Sequence, residues 1–214
     1  MFRLFWAAFA AFFVSACVST SAGGDTFRAD PKRTVTLDGP IMDNALDVAR
    51  KLVDLAAEDA SQPIDMVISS PGGSVYAGMQ IMSAMSVAQA RGTKIRCFVP
   101  LFAASMAFQV FAACDERFTL EYSLLLWHPA TITTDQPLDA GTLEYEAEQM
   151  RAIERDLNKR LIAALGMDET TFYYHYTHET LWFAAELKRQ APGFLTIVQD
   201  FDNVNNPYAV SPEE

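Results

Sequence analysis

The chain has 214 residues, half of them hydrophobic, enough to bury the core of one ordinary domain and to exclude wholesale disorder. Its 27 acidic and 16 basic side chains give a formal charge of −11. No basic patch is evident, which speaks against direct nucleic-acid binding.

The first element is an apolar run, LFWAAFAAFFV over residues 4–14, after the short start MFR. It is too short to span a bilayer as a mature helix and reads as the apolar region of a secretory signal. It ends in Val14-Ser15-Ala16-Cys17, which resembles the bacterial lipoprotein processing box. That resemblance implies removal of residues 1–16 and lipidation of Cys17. It also implies attachment to a membrane of the bacterial cell envelope, facing the periplasm or the exterior. An ordinary signal cut near Ala22 and an uncleaved anchor are the alternatives. Residues 17–33 are expected to form a flexible polar tether. The folded domain is expected over 34–200, with a loose tail over 201–214.

Residues 34–37 (TVTL) read as a short strand ended by the Asp38-Gly39-Pro40 turn. Asp43 or Asn44 is placed to cap a helix in which Leu46, Ala49, Leu52, Val53 and Ala56 recur at helical spacing. A strand over 64–68 leads into Pro71-Gly72-Gly73-Ser74. The helix after it carries Met79, Met82 and Met85 on one face, expected as core filling. A strand over 95–99, an apolar helix over 102–114 and strands over 118–120 and 123–127 continue a βαβαβ rhythm. That rhythm belongs to a largely parallel sheet with helical connections. After a polar stretch, Leu143, Ala147, Met150, Ile153, Leu157 and Leu161 mark a long amphipathic helix ending near Gly166. An aromatic stretch over 172–183, a short helix over 184–190 and a last strand over 194–198 follow. Export permits a disulfide between Cys97 and Cys114. An apolar strand and a helix end, however, read more simply as two buried free thiols.

Two side chains stand out chemically. Ser105 heads LFAASMAFQVFAA among small neighbours. A serine at a helix N-terminus has unpaired backbone N–H groups beside it, which can stabilise the oxyanion formed when its hydroxyl attacks a carbonyl. The Met106 N–H is the natural first donor, and Gly72-Gly73 can supply a second because glycine allows close backbone approach. The alternative is a serine that only caps an apolar helix. His128 closes the apolar run 124–127, a rigid place for a general base, or for a structural histidine. Each residue needs the other, because a serine without a base is a weak nucleophile.

The ordered set SSPGGSVYAGMQIMSAM, FAASMAF and LLLWHPA strongly resembles the ClpP-type serine peptidases and, more loosely, the signal-peptide peptidase A branch of the same superfamily. The resemblance begins at TVTLDGPIMDNALDVARKLVDL and covers about 34–198. It implies an α/β fold, a ClpP/crotonase-like spiral of ββα units, with a protruding handle helix matched by 143–165. It implies Ser105 as nucleophile, His128 as base, and Gly73 with Met106 as oxyanion donors. An extended peptide or membrane-associated protein segment would bind along Gly72, Gly73 and Ser74. It also implies a homo-oligomer. No cofactor and no metal are implied, and no nucleotide-binding motif is present. A place outside the cytoplasm speaks against the family's cytoplasmic unfoldase as partner.

The third member of the triad departs from the pattern. Matching Trp182-Phe183 to the family's aromatic or apolar pair puts the aspartate position at about Tyr176. His175, His178 and Glu179 are nearby, and Glu179 is the carboxylate expected to orient His128, with Asp168 and Asp135 as alternatives. His175 and His178 match neither zinc-protease signature. The sequence therefore reads as an extracytoplasmic serine peptidase. The alternatives are an inactive or weak scaffold of the same fold, and an acyl-ester or thioester hydrolase.

Overall fold

The computed structural model describes residues 25–134 and 137–202. The signal expected over 1–16, Cys17 and Asp135 lie outside the described residues. The first strands and helices are β1 (Thr26–Arg28), a 3-10 turn over Pro31–Arg33, β2 (Thr34–Asp38), α1 (Ala45–Glu58), β3 (Ile64–Ser69), α2 (Val75–Ala90) and β4 (Ile95–Val99). The middle of the chain forms β5 (Phe102–Ala104), α3 (Met106–Ala112), β6 (Glu116–Thr119) and β7 (Leu124–Leu126). It continues through α4 (Ala140–Leu165), α5 (Glu169–Thr177), β8 (Leu181–Phe183), α6 (Ala184–Gln190), β9 (Thr196–Ile197) and β10 (Asp200–Asp202).

Five strands form a parallel sheet in the order β2-β3-β4-β6-β9. Its inner strands β3 (IDMVIS) and β4 (IRCFV) are apolar except for Asp65, Ser69 and Arg96, because both of their faces are covered. Met66, Ile68, Cys97 and Val99 join the main core, while the alternating Val67 and Phe98 join Phe27, Ala29 and Val198 on the other face. A smaller sheet, β5-β7-β8, pairs β5 with β7 in parallel and β7 with β8 antiparallel. This is the mixed α/β, ClpP-like architecture that the resemblance implies.

Four expectations are corrected. The stretch 102–114 is not one helix. Phe102–Ala104 pairs with Leu124–Leu126, and Ser105 separates that strand from α3. The expected tether is part of the fold from Thr26 onward, and the strand pairing extends past residue 200 through β1 and β10. Arg33 is buried, donating to the carbonyls of Leu55, Asp59, Gln62 and Pro63 at 2.9–3.1 Å, four acceptors around the end of α1. Of the three methionines, Met85 is core while Met79 is 36% exposed. Cys97 and Cys114 form a disulfide with Cα atoms 6.0 Å apart, since the chain past α3 returns to the start of β4, where the Asp115 N–H donates to the Ile95 carbonyl.

The handle helix α4 is capped by the Asp139 side chain, which accepts from the Gly141 and Thr142 N–H groups, and ends at Gly166 with φ 63. Its second half buries Leu157, Asn158, Leu161 and Leu165. Its first half stands free, with Leu143 48% and Tyr145 60% exposed.

The disulfide closes a 17-residue separation, so the Cys97→Ser/Cys114→Ser double variant is expected to lose about 3 kcal/mol of unfolding free energy. Urea denaturation reads this directly; an unchanged midpoint would show that the cross-link contributes nothing.

Candidate active site

The chain leaves β5 and turns at Ser105 with φ 55 and ψ −127. A side chain held at positive φ stores about 1–3 kcal/mol of strain, and such residues cluster where function needs them. The turn is held by the Ser105 N–H donating to the Leu126 carbonyl at 2.8 Å and the Phe108 N–H donating to the Ser105 carbonyl at 3.0 Å. Gly72, at φ +91, lies against it from the other side. A Cβ on Gly72 would come within 2.6 Å of the Ala104 oxygen and the Ser105 Cβ, and 2.9 Å of the Met106 nitrogen. No side chain fits there.

Gly73 bridges to Ile41 through its neighbours. The Ile41 N–H donates to the Gly72 carbonyl at 2.8 Å, and the Ser74 N–H donates to the Ile41 carbonyl at 2.9 Å. The Gly73 N–H is left outside that bridge. Met106 opens α3, so its N–H has no intrahelical acceptor. Ser74 caps α2, accepting from the Ala77 N–H.

The register Ala104↔Leu126 places Ser105 and the Trp127-His128 segment at the same, carboxyl end of two parallel strands. Gly73, Ser74, Ser105, Met106 and His128 line one cavity of about 440 Å³, with Glu146 and Met150 of α4 on its far wall. The structure thus brings together the serine, the histidine and both proposed oxyanion donors, with Gly72 behind the serine turn.

Glu179 is not brought there. It is exposed, sits at φ 49 in the turn between α5 and β8, and does not line the cavity. Asp168 is occupied as the cap of α5, and its hydrogen bonds from Thr171 hold its carboxyl below the ordinary range. His175 Nδ1 lies 3.0 Å from Thr180 Oγ1, and His178 Nδ1 lies 2.7 Å from the Tyr174 carbonyl. Among the described residues no group of side chains is arranged to hold a metal ion.

Two residues not singled out in the sequence, Glu154 and Asn158, bond to the chain on either side of His128. The Tyr176 hydroxyl donates to Glu154 Oε1 at 2.6 Å, and the Ala130 N–H donates to the same oxygen at 2.6 Å. Burial, reinforced by the bond to Glu154, pushes the Tyr176 phenol well above its ordinary range. The Trp127 indole N–H donates to Asn158 Oδ1 at 2.6 Å. The only signal in the sequence was the four-residue spacing of Glu154 and Asn158 on a helix whose charges look like a solvated face.

The family model described as Clp protease matches residues 25–190, most of the chain. The chain belongs to the Clp protease family. It is 30% identical over 159 residues to an ATP-dependent Clp protease proteolytic subunit of Leuconostoc citreum, covering 70% of this chain and 78% of that one. It is 36% identical over 110 residues to an ATP-dependent Clp protease proteolytic subunit 1 of Mycobacterium bovis, covering 48% of this chain and 50% of that one. The Clp protease family is one of serine peptidases, and the glycine turn, Ser105 and His128 all fall inside the matched region.

Gly72→Ala is expected to slow reaction of Ser105 with a fluorophosphonate by about 100-fold or more, because a small displacement of reacting atoms is costly. Gly92→Ala is the control, sharing a positive φ with nothing within 4 Å of the added Cβ. Equal labelling of the two variants would contradict the close approach.

Proposed function

We propose that this chain is an extracytoplasmic serine peptidase, tethered through lipidated Cys17, which hydrolyses peptide bonds through an acyl-enzyme on Ser105. The observation that carries this reading is one cavity shared by His128 and a serine at positive φ, at the same end of paired parallel strands. A ring nitrogen of His128 takes the Ser105 proton as Oγ attacks the scissile carbonyl. The oxyanion accepts from the Met106 and Gly73 N–H groups. Collapse breaks the C–N bond, and His128 gives its proton to the leaving amine. Water then attacks the ester with His128 again as base, releasing the acid and restoring Ser105. The substrate, a peptide or a membrane-associated protein segment, lies extended along Gly72, Gly73 and Ser74.

The Cys97–Cys114 disulfide supports a place outside the reducing cytoplasm. Members of the family form oligomers, and the exposed Leu143 and Tyr145 on the free half of α4 support a homo-oligomer here.

A second reading, a scaffold that has lost catalysis, is favoured by the position of Glu179 outside the cavity. Fluorophosphonate labelling followed by peptide mapping separates the two. The peptidase reading expects label on Ser105, none in Ser105→Ala, and labelling slowed by about 10²–10⁴-fold in His128→Ala. No label on the folded wild-type chain would favour the scaffold.

A further inference from the structure

β7 ends at Leu126, and no strand pairing holds the chain from Trp127 to Ala130. His128 is in that stretch. Pro129 follows it and has no N–H, so Ala130 supplies the first backbone donor after the histidine. That donor goes to Glu154 Oε1 at 2.6 Å. On the other side of His128, the Trp127 indole N–H goes to Asn158 Oδ1 at 2.6 Å. Glu154 and Asn158 are four residues apart on α4 and share one face of it. Trp127 and Asn158 are both buried, so an unmade bond there would be costly.

A third element locks this arrangement. Tyr176 of α5 gives its hydroxyl proton to the same Glu154 oxygen and stacks its ring on Trp127, with centroids 6.0 Å apart. Tyr176 stands at about the position where the family resemblance places the orienting aspartate.

We infer that Glu154, locked by Tyr176 and joined by Asn158, is the positioning residue for His128, and that it acts on the main chain beside the histidine. A triad carboxylate does two things: it fixes the imidazole's orientation, and it stabilises the positive charge the ring acquires. Glu154 supplies the first through a charge-assisted bond to Ala130. The rate effect of this brace rests on the peptidase reading above; the ordering of His128 does not.

The test compares wild type, Glu154→Ala, Glu154→Gln and Tyr176→Phe by two readouts. One is kcat and KM for the fluorogenic peptide that the wild type cleaves fastest. The other is the His128 ring signal in NMR spectra of histidine-labelled protein, assigned with His128→Asn. Glu154→Ala is expected to lower kcat by about 100-fold with KM little changed, the cost of a base displaced by about 1 Å. Its single His128 signal should broaden or split. Glu154→Gln keeps an oxygen that accepts both bonds and should recover most of the loss. Tyr176→Phe removes one bond and should fall between, so the test survives if Glu154→Ala does not fold. If the wild type is inert but its His128 signal splits on loss of Glu154, the peptidase reading fails and the brace stands. An unchanged His128 signal in Glu154→Ala, an unchanged kcat in an active enzyme, or a Gln variant as impaired as Ala would each overturn the proposal.

Discussion

Gly72 packs its backbone against the Ser105 turn so closely that a single Cβ would collide with it, and the candidate site depends on that approach. It is enforced from both sides. Ser70 pairs with β5, donating its N–H to Phe102 and accepting from Ala104, while its hydroxyl oxygen accepts the Gly72 N–H at 3.1 Å. Two residues later the same chain is stitched to Ile41. These bonds use the polar groups flanking Gly73 and leave its own N–H outside the bridge, and Gly73 and Met106 both line the cavity. Bonding the polar groups around Gly73 while leaving its N–H outside the bridge is what prepares a site to receive developing charge.

The helix carrying the candidate nucleophile is anchored at both ends. Its start is held by Leu126 and Gly72; beyond its end Cys114 is bonded to Cys97, and the Asp115 carboxylate accepts the Ile95 N–H at 2.8 Å. The histidine is held by different means. Its segment lies past the end of β7 and takes its order from α4, whose free half presents Leu143 and Tyr145 outward. One long helix therefore both borders the cavity through Glu146 and Met150 and braces the stretch around His128.

The parts of this fold with strong periodicity were legible in the sequence. The strand over 95–99 and the helix over 184–190 are observed with those bounds, the glycine turn and His128 follow strands as chain order implies, and Ser105 precedes a helix, though not the long one over 102–114. Phe102–Ala104 was hidden because a short apolar run before an apolar helix has no period of its own. β1 was hidden because its partner, β10, lies near the opposite end of the chain and the residues leading into β2 are mostly polar. The disulfide needed a Cα separation that spacing does not supply. Counting back from Trp182-Phe183 reaches about Tyr176, with Glu179 a nearby carboxylate, but Glu179 sits in a left-handed turn at the surface. Glu154 and Tyr176 meet across two helices, and a pairing of that kind leaves no trace in either local pattern.

The account claims that Ser105, the Gly73 and Met106 N–H groups and His128 act on one carbonyl. A crystal structure of the chain with a peptide boronic acid tests this directly. The account predicts a tetrahedral boron bonded to Ser105 Oγ, one oxygen within about 3 Å of both N–H groups, and a second oxygen within hydrogen-bond reach of the His128 ring. A boronate bound elsewhere, or bonded to Ser105 with its oxygens turned away from Gly73 and Met106, would contradict it.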